Sequence, residues 1–112
     1  MNDNVEKRLI EALAFTGYKV YNGVFTSDDD VYFVFVNDVT PVYFGDDTAL
    51  YAVNLLQLHL YCPLTQNTTV LRKSVKRALE DAGFTYPSEV NATDEHMQHI
   101  VFEFESEEYI DA

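Results

Sequence analysis

Three histidines, one cysteine and two short acidic runs are the residues with which this 112-residue chain could carry out site chemistry. His96 and His99 are three apart, a spacing that sends strand residues to opposite faces, so the two do not chelate one ion together. His59 lies on a separate stretch and is left open as a partner for either. Cys62 follows His59 by three residues. On a strand these also diverge, which argues against a thiol–imidazole nucleophile pair. Asp28-Asp29-Asp30 and Asp46-Asp47 lack the alternating ligands, central Gly and terminal Glu of a calcium loop and read as solvated turns. No phosphate-cradling glycine loop, nucleophile elbow or zinc-protease helix occurs, and four Gly leave little material for a nucleotide cradle. The residues nominate no acid, base or nucleophile, no metal site and no cofactor. The expectation is a protein that is not an enzyme.

A different kind of chemistry is written in the charges. Lys plus Arg is 7 and Asp plus Glu is 19, giving a net charge of −12. Such a surface repels nucleic acid and anionic membranes. Yet four of the seven basic residues, Arg72, Lys73, Lys76 and Arg77, fall within six positions. After Gly83 there are eight acidic residues and no basic one. The basic cluster reads either as a docking patch for an acidic surface or as a solvated helix face with Lys76 and Glu80 one turn apart. With an acidic C-terminal strand carrying Glu103 and Glu105, it gives the layout of a head-to-tail contact between copies. Glu103, Glu105 and the acidic tail also read as protection of a sheet edge, although the sequence does not say which strand is the edge.

The elements that position these groups follow from periodicity. Asp3 and Glu6 resemble a capping box ahead of a first helix. Val5, Leu9, Leu13 and Thr16 share a face, Ile10 and Ala12 flank it, and Lys7, Arg8 and Glu11 lie opposite. Gly17 is placed to end that helix. Strands are expected at Tyr18–Phe25, Val31–Asn37, Thr48–Tyr61 and Met97–Glu105. Ile100, Phe102 and Phe104 of the last point inward, and Val101, Glu103 and Glu105 outward. Asp38–Asp47, with Pro41 and Gly45, reads as a long hairpin connection. Its apolar Val42, Tyr43 and Phe44 either pack on the chain's own core or reach a neighbour. A second helix begins at a cap on Thr65 or Asn67 and closes at Gly83, with Val70, Leu71, Ser74, Val75, Ala78, Leu79 and Ala82 on one arc. Phe84–Tyr86 is a candidate short strand. Consecutive strands favour antiparallel pairing. The expected fold is therefore a single α+β domain over residues 1–112, in the order α-β-β-β-α-β. About four mostly antiparallel strands carry two amphipathic helices on one face, and an acidic tail from residue 106 frays.

Apolar residues make up 47% and aromatic residues 14% of the chain, which supports an independent core. The lone cysteine suits a reducing compartment. The opening residues lack the pattern of a signal peptide. Leu50–Tyr61, the most apolar stretch, is broken by Asn54, Gln57 and His59 and is too short to span a bilayer.

The hairpin region Val31–Tyr61 carries Tyr43-Phe44-Gly45-Asp46-Asp47, then Tyr51, then Leu58-His59-Leu60-Tyr61. A helix, Gly83-Phe84-Thr85-Tyr86 and the strand Ile100-Val101-Phe102-Glu103-Phe104 follow. In element order, length and these aromatic and glycine positions, the chain from about Val5 to Glu105 resembles small prophage proteins of Gram-positive siphoviruses, in the tail-completion or tail-terminator group. The resemblance implies a virion protein, made in the host cytoplasm, that forms a homo-oligomeric ring, commonly a hexamer, at the end of the tail tube. Its partners would be further copies of itself, the tail tube protein and the head–tail connector. It would have no catalytic residues, and would bind no specific nucleic acid sequence and no membrane. A competing reading from the charge alone is a small acidic inhibitor or immunity-type protein, a DNA mimic in one form, that binds a basic partner one to one. The basic cluster counts against that form.

Overall fold

Long alternating runs of apolar residues dominate the computed structural model of this protein, which describes residues 2–23, 28–43 and 49–109. Helix α1 spans Asn2–Leu13 and passes through a 3-10 turn, Ala14–Thr16, into β1 at Lys19–Asn22. Strand β2 is Tyr32–Tyr43, β3 Ala49–Cys62, α2 Thr69–Asp81, β4 Ser88–Asn91 and β5 Gln98–Tyr109. They form one five-stranded sheet in the order β1-β2-β3-β5-β4. The α+β class and the helices on one face are as expected.

The sheet is mixed, not purely antiparallel. β1 runs parallel to β2, with Lys19 opposite Tyr32 and Asn22 opposite Phe35. β1 is only four residues long, so the chain between Asn22 and Tyr32 is long enough to carry it back to the same end. A tight turn would have forced the antiparallel alternative.

Three boundaries differ from expectation for identifiable reasons. Residues Asp38–Tyr43 are strand, paired with β3 up to a register shift between Val42 and Tyr43. Pro41, a turn signal, is tolerated because β1 pairs only with Tyr32–Phe35, leaving the far half of β2 in an edge-like position. The tail from Ser106 does not fray at once. β5 continues to Tyr109, which pairs with Tyr51. Phe84–Tyr86 is not a strand. Thr85 imitates one: its N–H donates to the Glu105 carbonyl at 3.0 Å, and its hydroxyl accepts the Glu105 N–H at 2.9 Å. The short strand lies further on, at β4.

The helix ends follow local chemistry. Gly17, at φ 75°, closes the first helical segment. Asp3 lies inside α1, because the helix already begins at Asn2, so it is not a cap. Thr68 stands at the N-cap of α2, its hydroxyl turned to Gln98, while Asn67 Oδ1 accepts the Thr69 N–H at 3.0 Å. At the other end the Gly83 N–H donates to the Glu80 carbonyl and the Phe84 N–H to that of Leu79, with Gly83 at φ 96°. This is the paired bonding of a left-handed helix stop, with Phe84 and Leu79 both buried beside it.

Alternation places Phe33 and Phe35, Leu56, Leu58 and Leu60, and Ile100, Phe102 and Phe104 on the helix side. There they pack against Val5, Leu9 and Leu13 of α1 and Val75 and Leu79 of α2. Val70, expected on the buried arc, sits in the first turn of α2 and is 76% exposed. Arg8, expected on the solvent side, is half-buried. Its guanidinium lies 4.5 Å over the Phe84 ring and donates to the Ser106 hydroxyl. It covers the core beside the C-terminal end of α2. Beyond it the helix-side rows turn polar, with Asn37 donating to Asn54 Oδ1 at 3.1 Å. β2, β3 and β5 run past the helices, and the molecule is 53 Å long but only 24 Å by 21 Å across.

Candidate assembly interface

The register defines the sheet face that no described helix covers. One end is aromatic. Tyr32 stacks on Tyr61 with ring centroids 5.1 Å apart, and Tyr61 on His99 at 4.3 Å. His59 and His99 meet across β3 and β5, Nδ1 to Nε2, at 2.8 Å. Their centroids are 5.0 Å apart with planes 28° from parallel. Two rings joined nitrogen to nitrogen at that distance must lie nearly end to end, so this contact is an in-line hydrogen bond and not a stack. Burial holds both imidazoles below the usual histidine range. His99 adds to that on His59, whereas Asp94 opposes it on His99. Tyr32 and Tyr61 are pushed up, first by burial and then by a neighbouring phenol.

The middle of the same face is acidic with an apolar floor. The cross-strand rows read Val36–Gln57–Glu103, Asp38–Leu55–Glu105 and Thr40–Val53–Glu107. Val36 and Leu55 are 38% and 43% exposed. Thr85, Tyr86 and Ser88 raise a wall along β5 and turn this part of the face into an open groove of about 650 Å³. Asp38, Glu103 and Glu105 line it. Carboxylates beside exposed aliphatic side chains suit a partner that brings both apolar contact and positive charge.

The basic cluster lies on α2 and is divided in its roles. Arg72 and Lys76 both bind Glu89 of β4, at 3.2 and 3.4 Å, so half of the cluster fastens the short strand to the helix. Lys73 and Arg77 are exposed and form no ion pair with a described residue. One chain thus presents, on α2, two cations that no described residue neutralises, and an acidic groove on the opposite sheet face.

Several expected site residues are placed differently. Glu103 and Glu105 are exposed on the helix-free face, but β5 is an interior strand with β4 on its outer side. β4 covers β5 only from Ile100 to Glu103 and Thr85 takes the outer backbone of Glu105, so Glu103 does not guard an edge, whereas β5 beyond Glu105, like β2 beyond Phe35, is edge-like among the described residues. Val42 is half-buried on that face, part of β2 and not of a free loop. Tyr43 ends β2, and its side chain, like the whole of Phe44 and the Asp46-Asp47 pair, lies outside the described residues. His96 is exposed in the turn before β5, 3.4 Å from Glu95, apart from the other two histidines. Cys62 is buried, and burial raises its thiol while Arg72 opposes the shift. Asp29 accepts the Tyr21 hydroxyl at 2.7 Å, a structural use of the first acidic run. Val36, Asp38, Leu55 and Tyr86 line the groove without having stood out in the sequence. The signal was present in β3, where Tyr51, Val53 and Leu55 place apolar side chains on the face opposite Leu56, Leu58 and Leu60.

No protein-family model matches this chain, and no curated protein does. Ten solved chains are similar in structure. One, bearing no functional name, superposes over 100% of this chain and 97% of its own length with a TM-score of 0.65 and 10% identity. At that identity the likeness concerns the fold alone. No helix among the described residues is long and apolar enough to cross a membrane.

Proposed function

We propose that the protein is a non-enzymatic structural component that works by assembling with copies of itself, as a tail-completion or head–tail joining protein of a siphovirus does. The observation that carries the reading is the separation of charge between two faces of one chain. Lys73 and Arg77 are exposed on α2 and pair with no described residue, while Asp38, Glu103 and Glu105 line a groove on the other side of the sheet. Complementary patches at different places on one chain make a heterologous contact. Repeated by rotation, it closes into a ring. In a phage the ring would cap the tail tube and face the connector, and its place of action would be the virion. The long sheet arm beyond the helices, which carries Val42, is the part offered to an adjoining subunit or tube.

The test is direct visualisation. Gold-labelled protein mixed with purified tail tubes should decorate one tube end only when viewed by electron microscopy. Absence of end labelling, or labelling along the tube wall, would overturn the tail reading.

A further inference from the structure

We infer that His59 and His99 form the bis-imidazole half of a surface site for a divalent transition-metal ion of the zinc class. This goes beyond the assembly reading and does not depend on it.

Two imidazoles end to end, with Nδ1 of one 2.8 Å from Nε2 of the other, hold a single proton between two in-plane lone pairs. The contact requires at least one of the facing nitrogens to be unprotonated, which is the ligating form. A metal ion that replaces the shared proton binds both rings through the same lone pairs. With Zn–N bonds of about 2.0–2.1 Å in a tetrahedral shell, the nitrogens stand ~3.3–3.4 Å apart. The pair must therefore open by roughly half an ångström, and the two lone pairs, in line in the hydrogen bond, must swing by roughly 35° each to converge on a tetrahedral ion.

The surroundings allow that motion. His99 lies flat against Tyr61, with planes 19° apart, so it can slide and turn in its own plane without losing the stack. The two residues sit on the adjacent strands β3 and β5, whose backbone pairing fixes their separation. Burial is partial, which leaves an approach for the ion and for the waters that complete its shell. The negative field of Asp94 reaches His99 and favours a cation there. Imidazole donors select zinc, copper or nickel over magnesium or calcium, whose ligands are oxygens. Among the described residues no group of three or more His, Cys, Asp or Glu converges. The site is therefore a two-residue one, and its affinity modest.

Zinc chloride titrated calorimetrically into the full chain in physiological salt should bind at one ion per chain with Kd below about 1 mM. His59→Gln and His99→Gln should each weaken binding tenfold or more, whereas His96→Gln should leave it unchanged. Wild-type protein followed by NMR removes any dependence on the variants. The imidazole signals of His59 and His99 should shift together with zinc while those of His96 stay in place. No saturable binding, binding that survives both substitutions, or shifts confined to His96 and carboxylates would overturn the proposal.

Discussion

Reversing Lys73 and Arg77 to Glu separates folding from assembly, because the structure assigns these two cations no internal work. Neither makes an ion pair with a described residue, whereas Arg72 and Lys76 hold Glu89. Within α2 the two are one turn apart. Their mutual repulsion is the same whether both are positive or both negative. Lys73 also repels Lys76 three residues on, and a Glu there attracts it. Arg77 loses attraction to Glu80 and Asp81 and gains repulsion. Helix pairs of this kind contribute about 0.2–0.5 kcal/mol each, so the losses exceed the gain by no more than ~1 kcal/mol. For a domain of this size that is a fall in Tm of roughly 4 °C, well short of unfolding. Assembly should fail, since the contact now sets negative against negative.

Sedimentation velocity over a rising concentration series, at low and high salt, reads the outcome. The wild type should form larger species most readily at low salt, and the double variant should remain monomeric. Glu103→Lys with Glu105→Lys should also remain monomeric alone. An equimolar mixture of the two double variants should assemble again, each supplying the surface that the other lacks. Assembly of the Lys73/Arg77 variant equal to wild type, or failure of the mixture, would refute the reasoning.

Three further outcomes follow from named contacts. Glu89→Ala releases both Arg72 and Lys76 at a half-exposed site; it should cost about 0.5–1 kcal/mol in denaturant unfolding and speed amide exchange in β4 more than in β3. Arg8→Ala removes the cation over Phe84 and the donor to Ser106, and should cost about 1.5–2.5 kcal/mol with an unchanged denaturant slope. The third concerns pH. His59 and His99 have folded values below the unfolded one of about 6.5, so the unfolded chain takes up protons first as the pH falls. Their contribution is complete above that value and is lost on acidification toward the folded values. Thermal unfolding of the wild type should drop across this window, and more steeply than that of His99→Gln.

The helices and the three long strands were legible because their apolar spacing is long and regular. Leu56, Leu58 and Leu60, and Ile100, Phe102 and Phe104, fall on the core side as the alternation required. The left-handed stops at Gly17 and Gly83 were legible from single residues, because few other side chains tolerate that backbone. The parallel pairing of β1 was not, since a four-residue strand carries no signal of its direction. Turn-forming Asp38 and Pro41 concealed the outer half of β2, where strand pairing with β3 outweighs local preference. The candidate surfaces were legible as charge and not as shape. Arg72, Lys73, Lys76 and Arg77 stand out in sequence, but only the fold shows Glu89 taking two of them. The His59–His99 contact depended on the relative register of two strands 40 residues apart, which alternation within either strand does not fix.

The central claim is that identical copies fit together through unlike surfaces. Native mass spectrometry of the concentrated protein, with electron microscopy of the same sample, tests it most directly. The account predicts a closed ring of defined copy number, six in the tail-completion case, that dissociates as salt rises. A chain that stays monomeric at every concentration and salt, or a two-fold dimer joined through like surfaces, would contradict it.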